Sequence, residues 1–328
     1  MKVLVTGGAG YIGSHTIKSL KNEGIDTLTF DNLSTGHKWA LLGEKLFVGD
    51  LEDIDAINKA IVYFKPDAVI HFAASIQVGE SVVNPILYYS NNVKNTINLL
   101  NAMIKNNVNK IVFSSSAAVY GIPKDNNPVK ETCQTLPINP YGQTKLMIEK
   151  ILSDMAFANQ IEYIALRYFN AAGADKDAQI GQAYKFATHL ITRALKTAKG
   201  KFEKLEIYGT DYPTPDGTCI RDYIHVDDLA FAHLLSLKAL FNNIKNEAFN
   251  VGYSKGYSVK EVINKVKEVT KIDFKVVEAK RRQGDPAYLV ASNDKIKELL
   301  KWEPKYNNLE YIIQTAWEWE KKLSYYGA

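Results

Sequence analysis

The sequence predicts a doubly wound α/β fold, a parallel sheet flanked by helices with a smaller α/β lobe after it, on three observations. Short β-branched runs alternate with longer amphipathic stretches through the first half of the chain. A cluster of glycines follows the first of these runs directly. After about Asn170 the alternation stops, and loops rich in Gly, Asp and Pro, such as residues 209–217, separate helices from isolated strands.

Strands are expected at Lys2 to Thr6, Asp26 to Phe30, Lys45 to Val48, Ala68 to Phe72, Lys110 to Ser114 and Glu162 to Leu166, with helices between most of them. One helix begins near Tyr11. Another is opened by Asn139 and Pro140, an N-cap residue followed by a first-turn proline. Leu309 to Leu323 reads as a C-terminal helix in which Trp317 and Trp319 serve packing.

The chain has 328 residues, 46% apolar and 23% charged, the balance of a soluble globular protein large enough for two packed domains. Forty basic side chains stand against 36 acidic ones without a block of like charge, which argues against a nucleic-acid groove. Lys196, Lys199, Lys201 and Lys204 read as a solvated helix end and loop. Cys133 and Cys219 are far apart, so neither a disulfide framework nor a metal site is expected. No signal peptide and no 18-residue apolar stretch is visible, which points to the cytoplasm and to no membrane partner.

Thr6-Gly7-Gly8-Ala9-Gly10-Tyr11-Ile12-Gly13 carries a GxGxxG spacing from Gly8 and sits between a strand and a helix. Glycines there permit a tight turn and let the backbone approach a pyrophosphate, whose charge the free N–H groups of the helix start stabilise. Asp31 ends the second strand 18 residues after Gly13, where a carboxylate accepts both ribose hydroxyls and repels a 2′-phosphate. No arginine stands in Asp31-Asn32-Leu33-Ser34-Thr35-Gly36, so NAD is favoured over NADP in a Rossmann-type sheet. Asp50-Leu51 and Phe72-Ala73-Ala74 lie at the carboxyl ends of later strands, where ligands of open α/β sheets bind. His71 reads as a satisfied strand histidine rather than a catalyst.

The fifth strand ends in Ser114-Ser115-Ser116, and Tyr141 and Lys145 follow on the helix begun at Pro140. Groups four apart on a helix share a face. Lowering a tyrosine by roughly three pH units requires about 4 kcal/mol, which an ammonium about 4 Å away nearly supplies at an effective dielectric near 20, and the positive nicotinamide of oxidised NAD pushes the same way. The expected reaction class is hydride transfer at a carbinol, with Tyr141 as base.

In these motifs the chain resembles the extended short-chain dehydrogenase/reductase superfamily and, more narrowly, the UDP-glucose 4-epimerase family. The likeness extends to Val78-Gly79-Glu80-Ser81, Tyr88 to Val93, Arg167-Tyr168-Phe169-Asn170, residues 221–229 and Arg281-Arg282-Gln283-Gly284-Asp285. It implies a cofactor set of Gly7, Gly10, Tyr11, Ile12, Gly13, Asp31, Asn32, Ser34, Thr35, Gly36, Asp50, Leu51, Phe72, Ala73, Ala74, Asn91, Ser114, Tyr141, Lys145 and Tyr168. Ser116, Tyr141 and Lys145 would be catalytic. Phe169, Asn170, His189, Leu190, Tyr208, Arg221, Tyr223, Arg282, Asp285 and Leu289 would join Ser116 and Tyr141 around a UDP-hexose.

The resemblance also implies an NAD-binding domain over 1–169 and a UDP-sugar-binding domain over 170–328, with segments around 221–251 returning to the first. A homodimer through Asn84 to Asn106 and Tyr141 to Phe157 is expected on the same ground. Ile76 departs from the family, several members of which place a lysine there. Leu289 matches a position whose bulk limits the substituent at C2 of the sugar, and a leucine predicts that N-acetylated hexoses are accepted beside the glucose pair. Two alternatives stay open: a nucleotide-sugar 4,6-dehydratase, although Ala117 and Ala118 stand where those enzymes carry acids, and an NAD-binding protein without catalysis.

Overall fold

The structure, a computed structural model, describes residues 1–185, 188–282 and 284–323. Its first half alternates β1 (Lys2–Thr6), α1 (Tyr11–Asn22), β2 (Asp26–Asp31), β3 (Leu46–Val48), α2 (Ile54–Phe64) and β4 (Ala68–His71). There follow α3 (Val78–Val83), α4 (Pro85–Tyr88), a π-helical segment over Tyr89–Lys94, α5 (Asn95–Lys105), β5 (Lys110–Ser114), α6 (Pro140–Phe157) and β6 (Glu162–Tyr168). The six expected strands are all present, with ends displaced by at most two residues.

The second half comprises β7 (Asn170–Ala172), α7 (Leu190–Ala198), β8 (Leu205–Tyr208), β9 (Ile220–His225), α8 (Val226–Phe241) and β10 (Glu247–Val251). The chain ends with β11 (Gly256–Ser258), α9 (Val259–Thr270), β12 (Val276–Ala279), β13 (Tyr288–Leu289), α10 (Asp294–Leu300) and α11 (Leu309–Leu323).

Seven strands form one sheet in the order β10-β6-β5-β4-β1-β2-β3, every neighbouring pair parallel. Strand order reverses between β1 and β4, and such a reversal opens a crevice at the carboxyl ends of the strands. Val3, Leu4 and Val5 are fully buried in succession, as a strand covered on both faces requires. On one face Leu4, Leu28, Val69 and Phe113 meet Ile57, Ile61, Leu99, Met103 and Ile148. On the other, Val5, Ile70 and Ile164 share a core with Leu195, Ile224, Leu229, Val262 and Ile312. That second core joins the large sheet to the later helices, so the lobe is not independently packed.

The lobe is organised on β9, which pairs with β7, β11 and β13, while β8 and β12 form a separate parallel pair. Trp319 packs as expected, buried with its indole N–H donating to Gln182 O at 2.9 Å. The lysine run keeps its expected solvated character only in part, at exposed Lys201 and Lys204. Lys196 is buried and donates to Tyr184 O at 3.1 Å, and Lys199 and Lys201 lie 3.9 and 3.8 Å from a carboxylate oxygen of buried Glu320. Glu320, on the C-terminal helix, draws Lys199 and Lys201 into an ion cluster.

Candidate active site

The cofactor cradle follows from the way β1 meets α1. Gly7 has φ +71°, and a Cβ there would stand 2.6 Å from the Ala73 amide nitrogen, so only glycine lets the turn after β1 lie against the turn after β4. Helix α1 begins on Gly10 without a side-chain cap, unlike α2, α6 and α9, which Asp53, Asn139 and Ser258 cap. Its first-turn amides at Tyr11, Ile12 and Gly13 are therefore available to an anion.

The Asp31 carboxylate, at the end of β2, accepts from Ala9 N at 2.9 Å and Leu33 N at 2.8 Å. Burial pushes its pKa up and the two amides oppose that. Asn32 donates to Asp50 Oδ2 at 2.7 Å and accepts from Ser34 N at 3.0 Å, which ties the 31–36 loop to the end of β3. Ser34 and Thr35 are exposed, whereas Gly36 is buried against Ala9. Leu51 is buried in the core on the α2 face, and Phe72, Ala73 and Ala74 are half-buried. Asn91 donates to Ser75 Oγ at 3.0 Å. Uncapped amides beside a glycine turn, with the Asp31 carboxylate at the end of the second strand, fit a dinucleotide that carries a pyrophosphate but no 2′-phosphate.

Ser116 caps the turn over 117–120, its hydroxyl accepting from Ala118 N at 3.2 Å. Asn139 caps α6 by accepting from Gly142 N at 2.9 Å, as its sequence predicts. A Cβ on Gly142 would lie 2.6 Å from Ala118 O, so glycine lets α6 rest directly on that turn. Tyr141 and Ser116 are both buried, and Ser116 is near enough to lower the Tyr141 pKa. Lys145, also buried, donates to Ser114 O at 2.8 Å, with its ammonium 5.0 Å from the centre of the Phe113 ring.

Burial pushes the Tyr141 phenol up, with Ser116 opposing, and pushes Lys145 down to about 7, with Glu149 opposing. Desolvation is thus the larger influence on both groups. His71 is the satisfied strand histidine expected: its ring nitrogens lie 2.6 Å from Thr6 Oγ1 and 2.8 Å from Thr96 Oγ1. Tyr168 accepts from Ser114 Oγ at 3.0 Å.

On the lobe side Asn170 pairs with Tyr223 across β7 and β9 and donates to Asp222 O at 3.0 Å. These two residues line a small cavity with His189 and Leu190, and burial lowers the His189 pKa. Arg221 lies 3.6 Å from Asp285, and the Arg282 guanidinium covers the Tyr208 ring at 3.8 Å. Arg281 instead serves its own loop, donating to Asp211 Oδ1 at 2.7 Å and stacking on Tyr212. Half-buried Leu289 packs against the cluster that includes Phe169, Leu146 and Ala117. Gln283 lies outside the described residues.

Sequence reasoning missed Asn92, Glu149 and Tyr184. Asn92 is fully buried in the π-helical segment, accepting from Ser75 N at 2.8 Å and donating to Thr144 Oγ1 at 3.1 Å. Tyr184, whose phenol burial pushes up to about 12, is near enough for Tyr141 to act on it electrostatically. Only Glu149 carried a legible signal, four residues beyond Lys145 on the same helix face.

A family model described as the NAD dependent epimerase/dehydratase family matches residues 3–252. The chain belongs to that family. A UDP-glucose 4-epimerase of Halalkalibacterium halodurans is 48% identical over 322 residues, 98% of this chain and 96% of the relative. A solved UDP-glucose 4-epimerase from Brucella ovis in complex with NAD is 46% identical with a TM-score of 0.94, covering 97% of each chain. The UDP-Glc/GlcNAc 4-epimerase of Campylobacter jejuni is 48% identical with a TM-score of 0.86, covering 98% of this chain and 99% of its own. Family membership accords with a parallel seven-stranded sheet and an uncapped glycine turn at its crevice.

Proposed function

We propose that the chain interconverts UDP-glucose and UDP-galactose by NAD-dependent epimerisation at C4, through a 4-keto sugar, and acts likewise on the UDP-N-acetylhexosamine pair. The observation that carries this reading is the Ser116–Tyr141–Lys145 group at the carboxyl end of β5, in a chain 48% identical to a UDP-glucose 4-epimerase over nearly its whole length.

Tyr141 takes the proton of the sugar C4 hydroxyl and later returns it, while Ser116 donates a hydrogen bond to that oxygen as it becomes a carbonyl. The 7–13 turn, Asp31 and the ends of β3 and β4 would hold NAD, which would supply the acceptor and donor of the C4 hydride. Lys145 orients the cofactor and stabilises the phenolate. Asn170, His189, Leu190, Tyr208 and Tyr223 hold the nucleotide, while Arg221 and Arg282 meet the pyrophosphate with planar forks suited to phosphate oxygens. Asp285 sets Arg221, and Phe169 and Leu289 flank the sugar. The NAD role thus falls on 1–169 with the returning β10, and the UDP-sugar role on 170–328.

Exposed Val83, Ile86 and Leu87 on α3 and α4, with Ile97 and Ile104 on α5 and Phe157 at the end of α6, give an apolar face that suits a homodimer. The proposed compartment is the cytoplasm, in keeping with two free thiols. Among the described residues no helix is long and apolar enough to cross a membrane.

The test incubates purified protein, without added NAD, with UDP-galactose and separately with UDP-N-acetylgalactosamine, and assays the C4 epimers. Turnover of both is expected. Turnover of UDP-galactose alone removes the broad specificity, and turnover of neither with NAD supplied, or a 4-keto-6-deoxy product, overturns the reading.

A further inference from the structure

Behind the catalytic group runs a buried polar chain that the reaction does not use directly. Glu149 is the next residue on the α6 face that carries Tyr141 and Lys145, one turn beyond the lysine. Its carboxylate accepts from Ser115 Oγ, beside Ser116, and from Arg167 on β6, whose Nε lies 3.0 and 3.1 Å from the two oxygens and whose Nη2 lies 2.6 Å from one. Arg167 also donates to the Tyr120 hydroxyl at 3.0 Å and stacks on that ring, and Tyr120 donates to Asn250 Oδ1 at 2.7 Å. One ion pair thus touches the helix of Tyr141 and Lys145, the strand end of Ser116 and the turn that α6 rests on.

We propose that the buried Glu149–Arg167 pair is a positioning device for the Ser116–Tyr141–Lys145 group, fixing the end of β5 against α6 and setting a negative charge toward the Lys145 ammonium. The inference rests on the epimerase reading above. A pair present only for stability could be replaced by apolar side chains at little cost. Here the carboxylate also accepts from the fully buried Ser115 hydroxyl, which ties it to the end of β5 beside Ser116, and acts on a lysine that burial has pushed down to about 7.

The sign follows from the groups that surround that lysine. Tyr141 and Glu149 face it from α6, His71 from β4 and the Ser114 carbonyl from β5. Glu149 itself faces Arg167 and Tyr163 on β6 and Ser115 at the end of β5. His71 is held neutral by burial, its pKa pushed down to about 3, so Glu149 is the charge that favours the ammonium. Removing Glu149 makes Lys145 lose its proton at lower pH, and the alkaline limb of kcat moves toward acid.

The test uses the NAD-loaded enzyme with Glu149→Gln, Arg167→Met, the double variant and Glu149→Asp. Glu149→Gln is expected to lower kcat about tenfold with KM nearly unchanged, and to move the alkaline limb by about one pH unit toward acid. The double variant removes the stranded arginine charge, so its thermal stability recovers, yet the displaced limb and the lowered kcat persist. Glu149→Asp restores the limb in part. A second readout is the ionisation of Lys145 itself, followed by NMR with lysine labelled at Cε and assigned by the resonance lost in Lys145→Met.

A double variant with wild-type kcat, wild-type limb and an unmoved Lys145 resonance would reduce the pair to a structural role and overturn the proposal. If Glu149→Gln does not fold, the double variant carries the test alone. A wild-type protein without epimerase activity sinks the epimerase reading instead, while the Lys145 titration still decides the positioning role.

Discussion

The two halves of the site are built differently. The proposed cofactor half is a set of strand ends, the turns after β1, β2, β3, β4 and β5 taken in chain order. The proposed sugar half is a wall assembled from β7, the start of α7, the end of β8, β9, Arg282 and residues 284–289, of which β7 and β13 are held by pairing with β9. A buried carboxylate locks that assembly. Asp222 on β9 accepts from Tyr253 N at 2.9 Å, Ser254 N at 3.1 Å and Ala291 N at 3.2 Å, and burial raises its pKa to about 7. Rigid strand ends suit the atoms that must not move during hydride transfer, and an assembled wall suits the selection of a ligand.

The sharpest way to break that division is Tyr141→Phe. It removes the proton carrier from the cofactor half but leaves the glycine turn, Asp31 and the whole β9 wall untouched. A loss of about a thousandfold or more in kcat is expected, with NAD still co-purifying and UDP binding unchanged by calorimetry. Retention of activity within tenfold would remove Tyr141 from the chemistry.

Arg282→Ala tests the other half. Its guanidinium rests on Tyr208 and is exposed, so little folding stability depends on it. Loss of a charge-assisted contact to phosphate costs about 1.5–3 kcal/mol, and KM for the UDP-sugar should rise roughly ten- to a hundredfold while kcat changes little. A fall in kcat with KM unchanged would mean that the wall shares in the chemistry and that the two halves are not separable.

Leu289→Tyr asks for a smaller and more selective change within the wall. Leu289 packs beside Phe169, so a larger ring grows into the space that the C2 substituent would occupy. Apolar bulk discriminates by about 1–3 kcal/mol, so activity on the N-acetylated pair should fall about tenfold or more while the glucose pair is spared. Equal losses on both pairs would place the residue outside the C2 pocket.

The same contrast decides what the sequence could reveal. The cofactor half was legible because each signal is local: Gly7 to Gly13 after β1, Asp31 at the end of β2, and the Asn139-Pro140 cap that aims Tyr141 and Lys145. The wall was legible only through family likeness, since nothing near Arg221 announces Asp285, and nothing near Lys196 announces Glu320. The desolvation of Tyr141 and Lys145 was not legible for a related reason. Spacing gives the charge partner, but desolvation depends on what the rest of the chain lays over the pair.

Titration offers the least intrusive comparison of the halves. His71 in β4 is held neutral, its pKa pushed down to about 3 by burial and the nearby Lys145 charge, and His225 at the end of β9 is pushed down to about 4, chiefly by burial. An unfolded histidine titrates near 6.5, so the unfolded chain binds more protons below that value. The stability linked to each histidine is therefore complete above about pH 6.5 and lost progressively as pH falls toward the folded values. At pH 5.5 each should account for about 1.4 kcal/mol, a shift of a few degrees in Tm. In His71→Gln the Tm should fall less between pH 7.5 and 5.5 than in the wild type. Hydrogen exchange at pH 5.5 should then show the sheet at β4 protected longer than in the wild type while exchange at β9 is unchanged. An equal gain at both strands would mean that the two halves open as one unit, joined by the core that runs from Ile70 to Ile224.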